Sequence, residues 1–314
     1  MKKILIILLV MIYFPAYANW PERKISVIVP LAPGNGTDLI SRIVSDELSD
    51  RYKMKFVVEN KVGASSTIGT NFVINSIPDG YTILITSSTL ISSKLTLLNT
   101  KYNIQTDLIP ISIIAETPMV LVVSPKKFQS IEELIKTGKE KELLYGTVGY
   151  GGSTHFVSAD FSYQTKIKTN IIPYKGTIEA QTDLLGERIE FLFIPMQTAI
   201  EYHKSKKLKI LGIVSENRSS IIPDVPTFNE LGYKNIKFIF WVGMFAPKNT
   251  PSSIINNLID SINIIKTSSK FNDKITTIGA KIFPIQSSSE INNFLINQNK
   301  YYFRIMQESN IEVK

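Results

Sequence analysis

The stretch Ile25-Ser26-Val27-Ile28-Val29-Pro30-Leu31-Ala32-Pro33-Gly34-Asn35-Gly36-Thr37-Asp38-Leu39-Ile40-Ser41-Arg42-Ile43 decides how this chain is read. Its first five residues form a short, β-branched apolar run, the pattern of a buried strand. Pro33-Gly34-Asn35-Gly36 then marks a tight turn. From Thr37 onward, Leu39, Ile40, Ile43 and Val44 fall on one helical face, and Thr37 is expected as the N-cap. Amides at a helix start have no carbonyl behind them, and here the glycines leave them uncovered. A small anion placed there gains from those donors and from the partial positive charge of the helix end. The same turn also reads as an ordinary strand-to-helix connection that needs glycine only for its backbone angles. One turn alone does not choose between the two.

The strand-turn-helix unit recurs along the chain. Residues 56–60 read as a strand, 61–66 as a small-residue loop, and 67–76 as a helix stopped by Pro78-Asp79-Gly80. A strand at 81–86 runs into Ser87-Ser88-Thr89, which stands at the start of a helix over 90–98. Strands are expected at 108–115 and 119–123. Ser124-Pro125 marks a shift, after which the pattern restarts. Ser130 caps a helix through Gly138, and a strand at 143–147 meets the glycine-rich Val148-Gly149-Tyr150-Gly151-Gly152-Ser153-Thr154. A helix over 155–163 follows. Strand 171–173 ends at Tyr174-Lys175-Gly176-Thr177, ahead of a helix through Leu185. Strand 189–194, helix 196–204 and strand 208–214 come next. Residues 223–228 form an extended connector, and the apolar run 238–246 is placed between two domains. Pro251 opens a helix to Lys266, and a last strand covers 281–284. Ser287 or Ser288 caps a final helix to Met306. Alternating strands and helices predict an α/β fold with mostly parallel sheets.

The 314 residues, 44% of them hydrophobic, suffice for one large or two medium domains. Lys2 and Lys3, the apolar run 4–14 and Ala16-Tyr17-Ala18 have the organisation of a secretory signal cleaved after Ala18. That run is shorter than the roughly 20 residues needed to span a bilayer. The chain has no cysteine, hence no disulfide and no lipid-bearing cysteine, so soluble export to a periplasm is expected. The net charge of +8 is dispersed, and no basic stripe with interleaved aromatics points to nucleic acid. A mild positive balance does help attract acidic solutes. Gly34-Asn35-Gly36 lacks the third glycine of a dinucleotide fingerprint, Leu39 standing in its place, and no Gly-Lys-Ser/Thr phosphate loop occurs. His155 and His203, the two histidines, lie far apart without carboxylate clusters, so no metal is expected. There is no Gly-x-Ser-x-Gly elbow and no cysteine nucleophile. Neither a catalytic residue nor a cofactor is expected.

Ligands of open α/β sheets sit beyond the carboxyl ends of the strands. Four turns occupy that place: 34–37, 87–89, 149–154 and 174–177. Two precede the shift at Ser124 and two follow it, which suggests two lobes that each supply half of an anion clamp. His155 is either a ligand contact or a satisfied structural histidine. Lys175 either pairs with a second carboxylate or is solvated, and Tyr174 and Trp241 either line a cleft or belong to the core. Asp38 is expected to bond amides of its own helix rather than an anionic ligand.

The order and spacing of these pieces resemble the periplasmic solute receptors of tripartite tricarboxylate transporters, the Bug family. The matching segments are Ile-Val-Pro-Leu-Ala-Pro-Gly-Asn-Gly-Thr-Asp (28–38), Val-Glu-Asn-Lys-Val-Gly-Ala (58–64) and Pro-Asp-Gly-Tyr-Thr-Ile-Leu (78–84). They continue with Gly-Thr-Val-Gly-Tyr-Gly-Gly-Ser-Thr-His (146–155), Pro-Tyr-Lys-Gly (173–176), Pro-Asp-Val-Pro-Thr (223–227) and Phe-Trp-Val-Gly-Met-Phe-Ala-Pro (240–247). The likeness covers nearly all of the chain after Trp20-Pro21. It implies a two-lobed periplasmic binding protein of the Venus flytrap, type II-like kind. Lobe 1 would comprise 19–123 plus 246–314 and lobe 2 would comprise 124–245, with crossover strands near 121–124 and 241–245. It implies a monomeric receptor rather than an enzyme, which captures a di- or tricarboxylate or other organic acid and delivers it to membrane permease subunits. The site implied comprises Ala32, Pro33, Gly34, Asn35, Gly36 and Thr37 in the first turn, with Ser87, Ser88 and Thr89 after the next strand. Gly149, Gly151, Gly152, Ser153, Thr154 and His155 stand opposite, and Tyr174, Lys175 and Pro195 complete it. Many relatives carry a second glycine where Asn35 stands. Relatives also often have Phe-Asp where this chain has Ile194-Pro195, and losing that aspartate argues against an amino-acid ligand. A ligand sensor for a signalling partner such as a sensor kinase, and a periplasmic enzyme using His155 as base, are the alternative readings.

Overall fold

The computed structural model describes residues 20–314 apart from positions 99 and 101, so the expected signal at 1–18 lies outside the described residues. The first part of the chain runs β1 (Ile25–Val29), α1 (Gly36–Tyr52), β2 (Phe56–Asn60), α2 (Thr67–Ile74), β3 (Thr82–Ser87), α3 (Thr89–Thr96), α4 (Ile104–Asp107) and β4 (Leu108–Thr117). Next come β5 (Met119–Val123), α5 (Ile131–Glu140), β6 (Leu143–Val148), α6 (Ser153–Thr165), β7 (Thr169–Tyr174), α7 (Thr177–Leu185) and β8 (Phe191–Pro195). A 3-10 turn (Met196–Thr198), α8 (Ile200–Lys204) and β9 (Lys209–Val214) follow. The last part is β10 (Phe240–Pro247), α9 (Ser252–Lys266), α10 (Ser269–Thr277), β11 (Lys281–Ile282) and α11 (Ser288–Glu308).

Two sheets result. The first has the order β11-β4-β10-β3-β1-β2 and the second β7-β6-β8-β5-β9. β1 is central to its parallel part, paired with β2 and β3, and its Ile25, Val27, Ile28 and Val29 are fully buried. A strand enclosed in this way has no polar face, which is why its sequence does not alternate. β6 plays the same part in the second sheet, parallel to β7 and β8.

Both sheets are mixed rather than mostly parallel. β10 pairs antiparallel with β3 and β4, and β5 pairs antiparallel with β8 and β9. These are the strands by which the chain enters each sheet after leaving the other. The crossings themselves lie elsewhere than expected. β4 ends at Thr117 in the first sheet and β5 begins at Met119 in the second, so the passage falls at Pro118 rather than near 121–124. The return lies between Val214 and Phe240, because β10 belongs wholly to the first sheet. An apolar run cannot by itself show which sheet will claim it, and Met119–Val123 is buried along its whole length. Two helices were not legible. α4 has four residues, and α10 buries only Phe271 and Ile275, too little to set up a clear period.

The strand β5 separates two cores. Met119, Leu121 and Val123 face a continuous core that extends through α6 into the first lobe, while Val120 and Val122 join a smaller cluster with Ala180, Leu184 and Leu192. Alternation along one strand therefore assigns its residues to different cores. Helix α11 seals the larger one, packing against α3 and β4 of the first lobe and against α6 of the second. Its Tyr302 ring meets Phe156 of α6 at 5.1 Å and Phe238 of the return crossing at 5.2 Å, both edge-on.

A capping box starts α11. The Ser287 hydroxyl accepts from the Glu290 amide at 3.3 Å, and the Glu290 carboxylate accepts from the Ser287 amide at 2.7 Å. Ser287→Ala leaves one first-turn amide without its side-chain acceptor. It should cost about 1 kcal/mol, read as a lower urea midpoint with unchanged slope.

Candidate functional site

The carboxyl ends of β1, β3, β6 and β7 open into turns that start α1, α3, α6 and α7. These turns meet between the lobes around a small, partly open cavity of about 30 Å³. The first turn lines it with Leu31, Asn35, Gly36 and Thr37, and the second with Ser87 and Thr89. From the other lobe come Val148, Ser153 and Thr154, then Thr177 at the start of α7 and Pro195 at the end of β8; Phe240 of β10 closes it. None of these lining residues is charged. The cavity offers hydroxyls, helix-start amides and some apolar wall, in a volume that holds roughly two waters.

The cap of α1 is Asn35, whose side-chain oxygen accepts from the Asp38 amide at 3.0 Å, and the helix begins one residue earlier than expected. Thr37 is therefore inside the first turn, and its buried hydroxyl has no partner among the described residues. The helix buries Ile40, Val44 and Leu48 together with Thr37, Ser41 and Ser45, so the packed face is rotated from the Leu39–Ile43 side. Asp38 does serve its own turn. Its carboxylate accepts from Gly34 N at 2.9 Å, Arg42 Nε at 2.9 Å and Asn60 Nδ2 at 2.9 Å. Burial pushes its pKa up, but the Arg42, Gly34 and Asn60 bonds outweigh that and hold it below the usual carboxylate value. The charge is thus spent on bracing the turn.

The two glycines of this turn have different reasons. Gly34 has φ +79°, a left-handed backbone that favours glycine. Gly36 has no such φ; a Cβ there would collide with the side-chain amide of Gln197, which approaches from the other lobe. Gly151 combines both reasons, with φ +74° and Thr96 of α3 lying where its Cβ would be. The lobes also touch through hydroxyls. Ser153 Oγ lies 2.8 Å from Ser88 Oγ and 3.0 Å from Thr89 Oγ1, and Ser65 Oγ donates to the Tyr150 carbonyl at 2.6 Å.

Of the residues expected at the site, Asn35, Gly36, Thr37, Ser87, Thr89, Ser153, Thr154 and Pro195 line the cavity. Ala32, Pro33, Gly34, Gly149 and Gly152 shape the turns without being among its lining residues, and Ser88 is bound to Ser153. Tyr174 points its hydroxyl to Asp183 Oδ2 at 2.8 Å, and Lys175 is exposed; Thr177 is what their turn gives the cavity. Its signal was present in the sequence as a hydroxyl residue following Gly176, the placement shared by Thr37 after Gly36 and Ser153 after Gly152. Trp241 is fully buried against Phe245 and Phe294, in the core. Leu31, Val148 and Phe240 were missed because apolar walls carry no distinguishing pattern.

His155 is buried, and its Nδ1 accepts from the Gly151 amide at 3.1 Å, pinning the glycine-rich turn. No group of three or more His, Asp or Glu side chains suited to a metal occurs among the described residues.

Two α/β lobes whose strand ends converge on a small, uncharged cleft define a two-lobed solute-binding protein. The model described as "Tripartite tricarboxylate transporter family receptor" matches residues 40–311, and the chain belongs to that family. It is 32% identical to Protein BugT of Bordetella pertussis over 301 residues, 94% of this chain and 92% of that protein. The structure of periplasmic binding protein BugD is similar at TM-score 0.88 and 28% identity, over 93% of this chain and 99% of that one. R. palustris Rpa4515, solved with adipate, has TM-score 0.89 at 24% identity, over 93% of this chain and 99% of that one, a likeness of fold. No helix among the described residues is long and apolar enough to cross a membrane.

Burial, with the Lys314 charge adding to it, lowers the His155 pKa from 6.5 to about 4. As pH falls below 6.5, the unfolded chain takes up a proton that the fold refuses until about pH 4. Stability present at pH 7 therefore falls across that window, by up to about 3 kcal/mol from this group. His155→Asn keeps an acceptor for Gly151 and removes the titration. Urea unfolding at pH 7 and pH 5 should show a smaller loss in the variant than in the native chain.

Proposed function

We propose that this chain captures a small carboxylate between its lobes and delivers it to the permease subunits of a tripartite transporter. The observation that carries this reading is the uncharged cavity where four helix starts meet. First-turn amides of α1, α3, α6 and α7 lack helical carbonyl partners, and Thr37, Ser87, Thr89, Ser153, Thr154 and Thr177 set hydroxyls among them. Neutral, preorganised donors can bind an anion without the desolvation cost of a buried cationic side chain. Family membership supports the receptor role, and the adipate of a protein with this fold agrees with an organic acid as ligand.

Capture is a population shift. Contacts such as Ser153 to Ser88 and Thr89 need both lobes together, so a ligand that bridges the lobes favours the closed arrangement. The protein performs no chemistry on its ligand in this reading. His155, the one histidine near the cleft, has its Nδ1 committed to Gly151. The first 18 residues direct export and are removed after Ala18, and the mature chain works as a periplasmic monomer.

The test is a panel of mono-, di- and tricarboxylates, each with its neutral amide counterpart, followed by thermal unfolding and calorimetry. At 100 times its Kd a true ligand adds about 2.7 kcal/mol, which should raise Tm by several degrees, and its amide should leave Tm unchanged. Stabilisation by a neutral solute, with none from any carboxylate, would overturn the reading.

A further inference from the structure

We propose that Gln197 determines which carboxylates are accepted, by offering its side-chain amide to a hydroxyl on the ligand, so that hydroxy acids are preferred over their deoxy counterparts. The inference rests on the carboxylate reading of the cavity and names the ligand class within it.

Gln197 sits in the 3-10 turn directly after β8, two residues beyond Pro195 of the cavity wall. It is not itself among the lining residues, but it reaches across the cleft until its amide lies against Gly36, which is. Both Nε2 and Oε1 are enclosed, and neither has a hydrogen-bond partner among the described residues. The two ends of an amide exchange by a half-turn about its last bond, so what matters is that both are unpaired. Other amide side chains nearby are engaged. Asn35 accepts from Asp38 N, Asn60 donates to the Leu31 carbonyl and to Asp38, and Gln181 donates to the Thr198 carbonyl.

The backbone that carries Gln197 is held firmly. The Gln181 bond at 2.8 Å and the Thr198 hydroxyl, donating to the Pro195 carbonyl at 2.8 Å, brace the turn from both sides. A braced residue that directs a fully unpaired amide at the ligand turn is arranged for a partner the protein does not itself provide. The unpaired Thr37 hydroxyl, next in sequence to Gly36, adds a second such group.

The partner's chemistry follows from the inventory. An amide presents one end that donates and one that accepts. A hydroxyl answers both. A second carboxylate answers only the donor and sets its charge against the carbonyl end, an ammonium answers only the acceptor, and a methylene answers neither. With the ligand's carboxylate on the helix-start amides, a hydroxyl a few bonds away meets Gln197.

Calorimetry on the mature chain with matched pairs tests this: glycolate against acetate, lactate against propionate, and malate against succinate. The hydroxylated member of at least one pair should bind about tenfold more tightly to the native protein. Gln197→Leu, close in shape but without the amide, and Gln197→Ala should each bring that pair to within about twofold while leaving the deoxy member's affinity little changed. Equal binding of both members of every pair by the native protein overturns the role of Gln197 and leaves the carboxylate site standing. A preference that survives both substitutions also overturns it. If no member of any pair binds and a neutral solute does, the carboxylate site itself falls, and this inference with it.

Discussion

A helix that begins inside a protein leaves amides without partners, and most of this site follows from where four such beginnings are brought together. α1, α3, α6 and α7 all start at the carboxyl ends of strands, on the side where the two sheets face each other. Some of those amides are answered internally: Asn35 takes the amide of Asp38, and Thr89 Oγ1 approaches the amide of Ser153 at 3.4 Å. The remainder share a small uncharged cavity. The nearby acid is kept out of it by being fully bonded, with Asp38 tied to Gly34, Arg42 and Asn60. The positive potential of the helix ends is therefore not cancelled by a carboxylate of the protein's own.

Bringing these ends together requires the lobes to approach closely, and the sequence is small wherever they do. Gly36 gives way to Gln197, Gly151 to Thr96, and Ser88 and Thr89 meet Ser153 hydroxyl to hydroxyl. Larger side chains at these positions would hold the cleft open. The glycine content of the turns thus records an approach between lobes as much as any need for unusual backbone angles.

Much of this was legible in the sequence, for definable reasons. β1 is legible to the residue because a fully buried strand is a continuous apolar run; the cap Ser130 is legible because a hydroxyl before an amphipathic helix has one plain meaning, and the choice between Ser287 and Ser288 falls to Ser287. The four turns were found from glycines and hydroxyls that recur after strands. What escaped depended on distance in three dimensions. Whether Met119–Val123 joins one sheet or the other is settled by its neighbours β8 and β9, whose paired residues lie 68 or more positions away. Gln197 carries no local signal, since its importance comes from touching Gly36. Tyr174 and Lys175 were placed at the site by their turn, but a tyrosine with Asp183 in reach bonds to it, and a lysine facing solvent stays there. His155 follows the glycine-rich turn, and its ring serves that loop's own backbone.

The position of α11 bears on what counts as a unit in this protein. The strands of the second sheet come from one uninterrupted stretch, 119–214, which by connectivity looks like a separable module. Its helix α6, however, is buried on nearly every side, and part of that cover is Tyr302, supplied by α11 from the far end of the chain. Cut out on its own, the stretch would present Phe156 and its neighbours to water. The helix α11 is in this sense a shared lid, and the second lobe cannot complete its own interior until α11 has been synthesised.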